Sequence, residues 1–294
     1  MKKILVLVYF LLAAVYTYSQ TDSTEKEKTQ VSAGLQFISN QTYAGRTDSL
    51  KLPVLIPEFN LEFAKGFFIN TKGYLNLSGG KTSFDGISIE PGYQFSKNNW
   101  NGSFSVIKNF ISDSSNLIIA PVNASLEFYL SKDTKVVTPY IGSEYVFSAE
   151  GNDFIVYGGL SKDIMFSKPE ASTTFDANPS LGVTAGTQNF YYSFLKTYSS
   201  NGKTRVISKG RGRGGSGTTT TTTTTTTTRT VKQQSQAFSL LSSSIELPFT
   251  LTAGKFKWVT TPSLEMPVNL IQGQSGGQTS SSIFYVTTEL LFTF

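Results

Sequence analysis

Ile283-Phe284-Tyr285-Val286-Thr287-Thr288-Glu289-Leu290-Leu291-Phe292-Thr293-Phe294 alternates without a break. Phe284, Val286, Thr288, Leu290, Phe292 and Phe294 share one side; Ile283, Tyr285, Thr287, Glu289, Leu291 and Thr293 share the other. A period of two marks a β-strand with unlike faces. The stretch ends on its apolar side, at an aromatic. Water would leave that face and that edge bare. A bilayer covers the face with lipid, and the first strand of a closing barrel takes up the edge. The stretch therefore predicts the last strand of a transmembrane β-barrel.

Working backward, the alternation recurs as far as Val31. It predicts strands over 31–44, 52–64, 67–78, 85–95, 100–110, 117–130, 135–147, 153–166, 178–195, 236–252, 256–270 and 282–294. Twelve strands make an all-β, antiparallel up-and-down barrel over 31–294. Most segments exceed the roughly 9–11 residues that a tilted strand needs to cross a bilayer. The connectors form two sets. Those at 65–66, 96–99, 131–134 and 254–255 are tight; those at 45–51, 78–83, 112–116, 149–152, 195–235 and 272–281 are generally longer and richer in Gly, Ser and Asp. Short turns of such barrels face the periplasm and long loops the exterior, so both chain ends are expected in the periplasm. The stretch 167–177 breaks the pattern as a long connector on the tight side. Pro57, Pro91, Pro121, Pro139, Pro179, Pro248 and Pro262 lie in or beside strands, where a missing N–H interrupts the ladder and suggests bulges.

Lys2 and Lys3 precede an apolar run over 4–15 that is too short to span a membrane. Small and polar residues follow, which predicts a signal peptide over 1–19, cleaved after Ser19. Residues 20–30 read as a flexible periplasmic leader. The chain has no Cys, which excludes disulfides, thiolate chemistry and lipoprotein processing. The formal charge of +5 is unevenly spread. Residues 201–235 hold Lys203, Arg205, Lys209, Arg211, Arg213, Arg229 and Lys232 and no acid. Without that segment and the signal peptide, 16 basic residues face 20 acidic ones. The basic character thus belongs to one loop.

Placing the more apolar face of each strand toward lipid assigns the other to the lumen. Phe59, Leu61 and Phe63 outward put Glu58 and Glu62 inward. Val122, Ala124, Leu126 and Phe128 outward put Asn123, Ser125 and Glu127 inward. The same step directs Glu90, Glu144, Glu246, Glu265 and Glu289 inward, with Lys257 and Asn269. A charge on the lipid face costs about 2–4 kcal/mol at mid-membrane, so the lumen is where these acids belong. They would favour cations in a narrow pore. Alternatively, paired with Lys72, Lys257 and Tyr hydroxyls, they fill the lumen. Twelve strands lie between barrels filled by side chains and open porins; a largely filled or very narrow lumen is expected.

The loop over 196–235 has its own character. Its tip, Gly210 to Gly217, reads GRGRGGSG and precedes eleven threonines, Thr218 to Thr228. The Gly-Arg tip is flexible and cationic, and the Thr run is extended or disordered. On a cell exterior it suits anionic lipopolysaccharide, capsule or an acidic partner rather than nucleic acid; the alternative is a variable loop lengthened by repeat slippage. His is absent, which excludes Ser-His catalysis, His-ligated metals and His proton shuttles. No phosphate loop or nucleophile-elbow motif is present. The reading is a non-enzyme without cofactor or metal.

Ser19-Gln20, the Lys-rich tight turns, Val137-Thr138-Pro139-Tyr140-Ile141, Thr260-Thr261-Pro262-Ser263-Leu264, the segment Ala185 to Tyr191 and terminal Phe294 together give the chain a resemblance to small outer-membrane β-barrel proteins of Bacteroidota-type bacteria. The resemblance covers nearly the whole mature chain and is architectural. It implies outer-membrane location and insertion by the barrel assembly machinery through the last strand, with Phe292 and Phe294 as its signal. It also implies possible sites of O-glycosylation at Ser23 and Ser49, each following an Asp. Members of this group include solute channels and non-transporting subunits of surface complexes. The expectation is a scaffold or accessory subunit of an outer-membrane or surface complex, its long loop meeting a protein or glycan. The alternative is a narrow, cation-preferring passive channel.

Overall fold

The computed structural model describes residues 29–47, 52–77, 82–149, 151–168, 172–200, 234–271 and 282–294, with 196–200 described in backbone only. In chain order, β1 (Gln30–Ile38) precedes a small hairpin, β2 (Thr42–Tyr43) and β3 (Arg46–Thr47). Then come β4 (Val54–Glu62), β5 (Phe67–Asn76), β6 (Ser83–Lys97), β7 (Trp100–Ile111), β8 (Val122–Lys132), β9 (Thr138–Ser148) and β10 (Gly151–Ser161). The rest is β11 (Ile164–Met165), β12 (Thr173–Ala177), β13 (Ser180–Gly186), helix α1 (Asn189–Ser200), β14 (Ser239–Glu246), β15 (Phe249–Ala253), β16 (Phe256–Pro267) and β17 (Ile283–Thr293).

The sheet closes on itself into an antiparallel β-barrel of twelve staves. Nine staves are single strands. The other three are pairs, β10 with β11, β12 with β13 and β14 with β15, interrupted at 162–163, 178–179 and 247–248. Two of the three gaps hold a proline, which has no N–H to give the ladder. Hydrogen bonds bridge all three: Lys162 N to Pro179 O at 3.1 Å, Asn178 N to Pro248 O at 3.0 Å and Leu247 N to Pro262 O at 3.0 Å. β17 seals the ring against β1, from Ser32 opposite Thr293 to Ile38 opposite Thr287. No edge strand remains between them, which is the condition for a sheet to stand in hydrocarbon.

The outer surface explains why these strands form. Phe59, Ile69, Phe104, Val106, Phe128, Ile141, Leu181, Val183 and Leu290 are all exposed. A continuous band of this kind far exceeds what a water-soluble surface carries. Trp100, Trp258, Phe292 and Phe294 ring the turn end, and Phe84, Phe110, Phe147 and Phe154 the loop end. Aromatic girdles flanking an apolar band are the exterior of a transmembrane barrel. The β6–β7 turn shows local chemistry agreeing with the ladder: Asn98 and Asn99 both have positive φ, as the mirror-image hairpin turn requires.

Five readings of the sequence are corrected. The strand expected over 178–195 ends at Gly186, and α1 follows. The connector expected over 167–177 ends in a strand: β12 pairs Thr173 to Ala177 with β15, and Asp176 and Ala177 also face β11. The strands expected to start at 117 and to end at 44 give way to loop before Val122 and to the β2–β3 hairpin after Ile38. A register shift between Val122 and Ala124 turns Val122 into the interior and exposes Asn123, opposite to the simple alternation.

Candidate functional site: a plugged lumen

Inward residues follow one parity and change character with depth. From the loop end, β4 presents Val54, Ile56, Glu58, Asn60 and Glu62. Val54 and Ile56 are buried with Tyr74 and Leu117. On β9, Val146 is fully buried and Glu144 next to it faces Glu127 of β8. Glu58 lies opposite Gly34 and Lys72, with Glu289 beside it, and one of its oxygens has no hydrogen-bond partner. Glu90 accepts from Asn70 at 3.4 Å, and Glu265 from Ser242 at 2.7 Å. Glu246 lines the cavity beneath the plug, and Glu62 sits exposed at the turn-end rim near Gln94.

The loop end is filled by chain that the simple barrel pattern does not foresee. Between β2 and β3, Ala44 and Gly45 both have positive φ and make a two-residue turn. The hairpin points inward: a Cβ on Gly45 would lie 2.6 Å from the Cβ of Ser242 on the wall. Glycine therefore satisfies both the turn and the close approach. Tyr43 reaches toward Glu144 on β9, while Thr42 lies beside Tyr285 of β17 at the same cavity. Those staves stand five apart in the ring of twelve, so the hairpin crosses the lumen.

Arg46 fastens the crossing. It is fully buried. Nε donates to Gln188 Oε1 at 2.9 Å, Nη1 to Leu241 O at 3.0 Å and Gly45 O at 3.3 Å, and Nη2 to Val268 O at 2.9 Å and Asn269 O at 3.3 Å. These use the five N–H groups of a guanidinium. The acceptors come from the α1 entry, β14 and the chain after β16, which one cation ties together. Burial pushes the guanidinium down to about 10, against the pull of Tyr191 and Glu265, so it remains charged at neutral pH. Burial, with Glu144 adding to it, raises the Tyr43 hydroxyl well above the ordinary tyrosine range.

Helix α1 completes the plug. Asp153 on β10 caps its start: the backbone N–H groups of Asn189 and Phe190 donate to the carboxylate at 2.6 and 2.7 Å, and Thr187 Oγ1 donates at 2.6 Å. A carboxylate there satisfies orphan donors and meets the positive end of the helix dipole. Phe190, Tyr191, Phe194 and Leu195 are buried with Val146, Ile155 and Ile118. The Tyr43 ring stands edge-on to Phe190 at 4.8 Å. From the far side, Ile118 N donates to Gln41 Oε1 at 3.0 Å, which joins the loop before β8 to the hairpin.

Sequence reasoning missed Arg46, Gln188, Asp153 and Tyr43. The spacing of Phe190 with Phe194 and Tyr191 with Leu195 was a helical signal, masked by a run of β-favouring aromatics. Phe292 and Phe294 face outward, with rings 5.3 Å apart, and Phe294 N donates to Val31 O at 2.9 Å. The loop cations Lys203, Arg205, Lys209, Arg211, Arg213, Arg229 and Lys232, the signal peptide, and Ser23 and Ser49 lie outside the described residues.

No protein-family model and no curated protein matches the chain. Solved barrels align over most of its length. LpxR from Salmonella typhimurium is 8% identical with TM-score 0.44, covering 90% of this chain and 100% of its own. An outer membrane channel from Pseudomonas putida F1 is 7% identical with TM-score 0.44, covering 94% and 100%. The β domain of the Bordetella autotransporter BrkA is 8% identical with TM-score 0.44, covering 91% and 100%.

Proposed function

We propose that the chain is an outer-membrane barrel closed by its own loops, serving as a scaffold or accessory subunit of a surface complex rather than as an open pore. The observation that carries this reading is the β2–β3 hairpin crossing the lumen from β9 to β17, with Arg46 buried behind it. A passive channel needs a wetted path. Here the loop end of the path holds Phe190, Tyr191, Val146 and Ile155 packed together. The absence of His leaves the usual hydrolytic arrangements without their base. The segregated charge of the 201–235 segment favours an acidic protein, glycan or lipopolysaccharide as its contact. The Bacteroidota-type resemblance is shared by solute channels and by subunits of surface complexes and favours neither, and insertion by the barrel assembly machinery follows from the barrel reading.

Two measurements test it. Purified protein in planar bilayers should show no conductance steps above background; regular cation-selective steps would favour the channel reading, which the acid-lined lower lumen supports. Deleting 203–232 should abolish co-purification of partners from native membranes while heat-modifiable migration persists. Unchanged partners would remove the scaffold role.

A further inference from the structure

The plug turns the lumen into a blind pocket. A cavity of about 440 Å3 lies beneath it. Thr42, Tyr43 and Ala44 of the hairpin form its closed end, and Ser161, Asn178 and Pro248, beside the stave breaks, lie toward the turn end. Glu144, Glu246 and Glu265 stand on its walls with Tyr129, Tyr140 and Tyr157. Among the described residues, no lysine or arginine lines it. Glycines clear space for the rings: a Cβ on Gly142 would lie 2.2 Å from the Tyr157 ring, and one on Gly159 2.6 Å from the Tyr140 hydroxyl. Tyr140 and Tyr129 stack at 6.2 Å. The Tyr43 hydroxyl is buried at the closed end, near Glu144 yet without a well-formed hydrogen bond.

We propose that this pocket binds a small organic polycation of the polyamine class, entering from the periplasmic end. Arg46, buried behind the hairpin, offsets part of the charge of Glu265; Glu144 and Glu246 have no basic side chain beside them on the described cavity wall, and ammonium groups supply the missing charge. The acids sit on three different staves, β9, β14 and β16. That dispersal suits separated ammonium groups; a metal ion wants oxygens converging on one point. The tyrosine faces attract ammonium through their quadrupoles, and the unpartnered Tyr43 oxygen is free to accept an N–H. The inference rests on the closed plug and not on the scaffold role.

Titrating the detergent-purified full chain with spermidine by calorimetry should give saturable binding, with neutral maltotriose silent. Glu246→Gln should weaken it at least about tenfold, and Tyr140→Leu a few-fold. A second arm leaves the acids intact. The chain has no Cys, so Ser244→Cys, on the cavity wall, gives one thiol. Spermidine should slow its modification by a trimethylammonium thiosulfonate, and maltotriose should not. Absence of saturable binding, equal protection by maltotriose, or unchanged affinity in Glu246→Gln would each overturn the site. If Glu246→Gln loses heat-modifiable migration, the thiol arm decides alone. Conductance steps in bilayers would instead overturn the closed plug, so the two failures are distinct.

Discussion

From loop end to turn end, the inward residues of β4 run Val54, Ile56, Glu58, Asn60, Glu62, and those of β9 run Val146, Glu144, Gly142, Tyr140. One set of staves thus carries an apolar half and an acidic half on the same face. In a water-filled pore the apolar half would gain nothing. Covered by α1, the β2–β3 hairpin and the loop before β8, each large side chain there contributes about 1.5–3 kcal/mol by burial. The acidic half has no such cover and keeps its cavity. The contrast teaches that inward parity alone does not define a lumen lining. What the chain elsewhere brings to the lumen decides whether an inward residue belongs to a core or to a pocket.

The sharpest way to break the contrast is to remove a large side chain from the apolar half. Phe190 is fully buried against Tyr43 and Tyr191. Phe190→Ala should destabilise the plug by about 3–5 kcal/mol. Amides of α1 and 40–47 should exchange faster while those of β4 to β9 do not change. Equal acceleration throughout would show that plug and wall are one cooperative unit. Next in size is Arg46→Met, which removes the guanidinium donor from Gln188 Oε1 and Val268 O and leaves the Leu241 carbonyl only its bond from Val268 N. About 2–3 kcal/mol should be lost. Arg46→Lys should recover less than half, because an ammonium cannot reproduce the planar fork. Exchange at 42–47 reads both; full rescue by lysine would reduce Arg46 to a point charge. Asp153→Ala comes third, at about 1–2 kcal/mol, with fraying confined to the first turn of α1. An unchanged helix start would remove Asp153 as its cap.

Much of the wall was legible because it is local. A period of two and a bilayer outside fix strand identity and facing without reference to the rest of the chain, as the register of β1 with β17 illustrates. The plug was not legible, for the opposite reason. Apart from Gly45, Arg46 finds its acceptors 142 to 223 positions away, and Asp153 caps a helix that starts 36 positions later. No spacing rule reaches that far. The stretch Phe190 to Leu195 shows the competition directly: its aromatics favour strand locally, and a carboxylate from another stave together with a buried apolar face makes it helix. At Val122, a one-residue shift was enough to reverse the face.

The smallest effect belongs to the lower rim, and it bears on whether all inward acids are equivalent. Glu62 shares the inward parity of Glu58, yet it is exposed, and its contact with Gln94 at 3.5 Å is long. Glu62→Gln should change stability by no more than about 0.5 kcal/mol and leave spermidine binding where it was. Glu246, on the cavity wall, should not share that tolerance. If Glu62→Gln weakened binding as much as Glu246→Gln, attraction would come from the summed field of the lower lumen and not from a pocket. Screening separates the two further: a general field fades once salt brings the Debye length to about 3 Å at 1 M. An enclosed pocket, lined by rings and roofed by the hairpin, is screened much less.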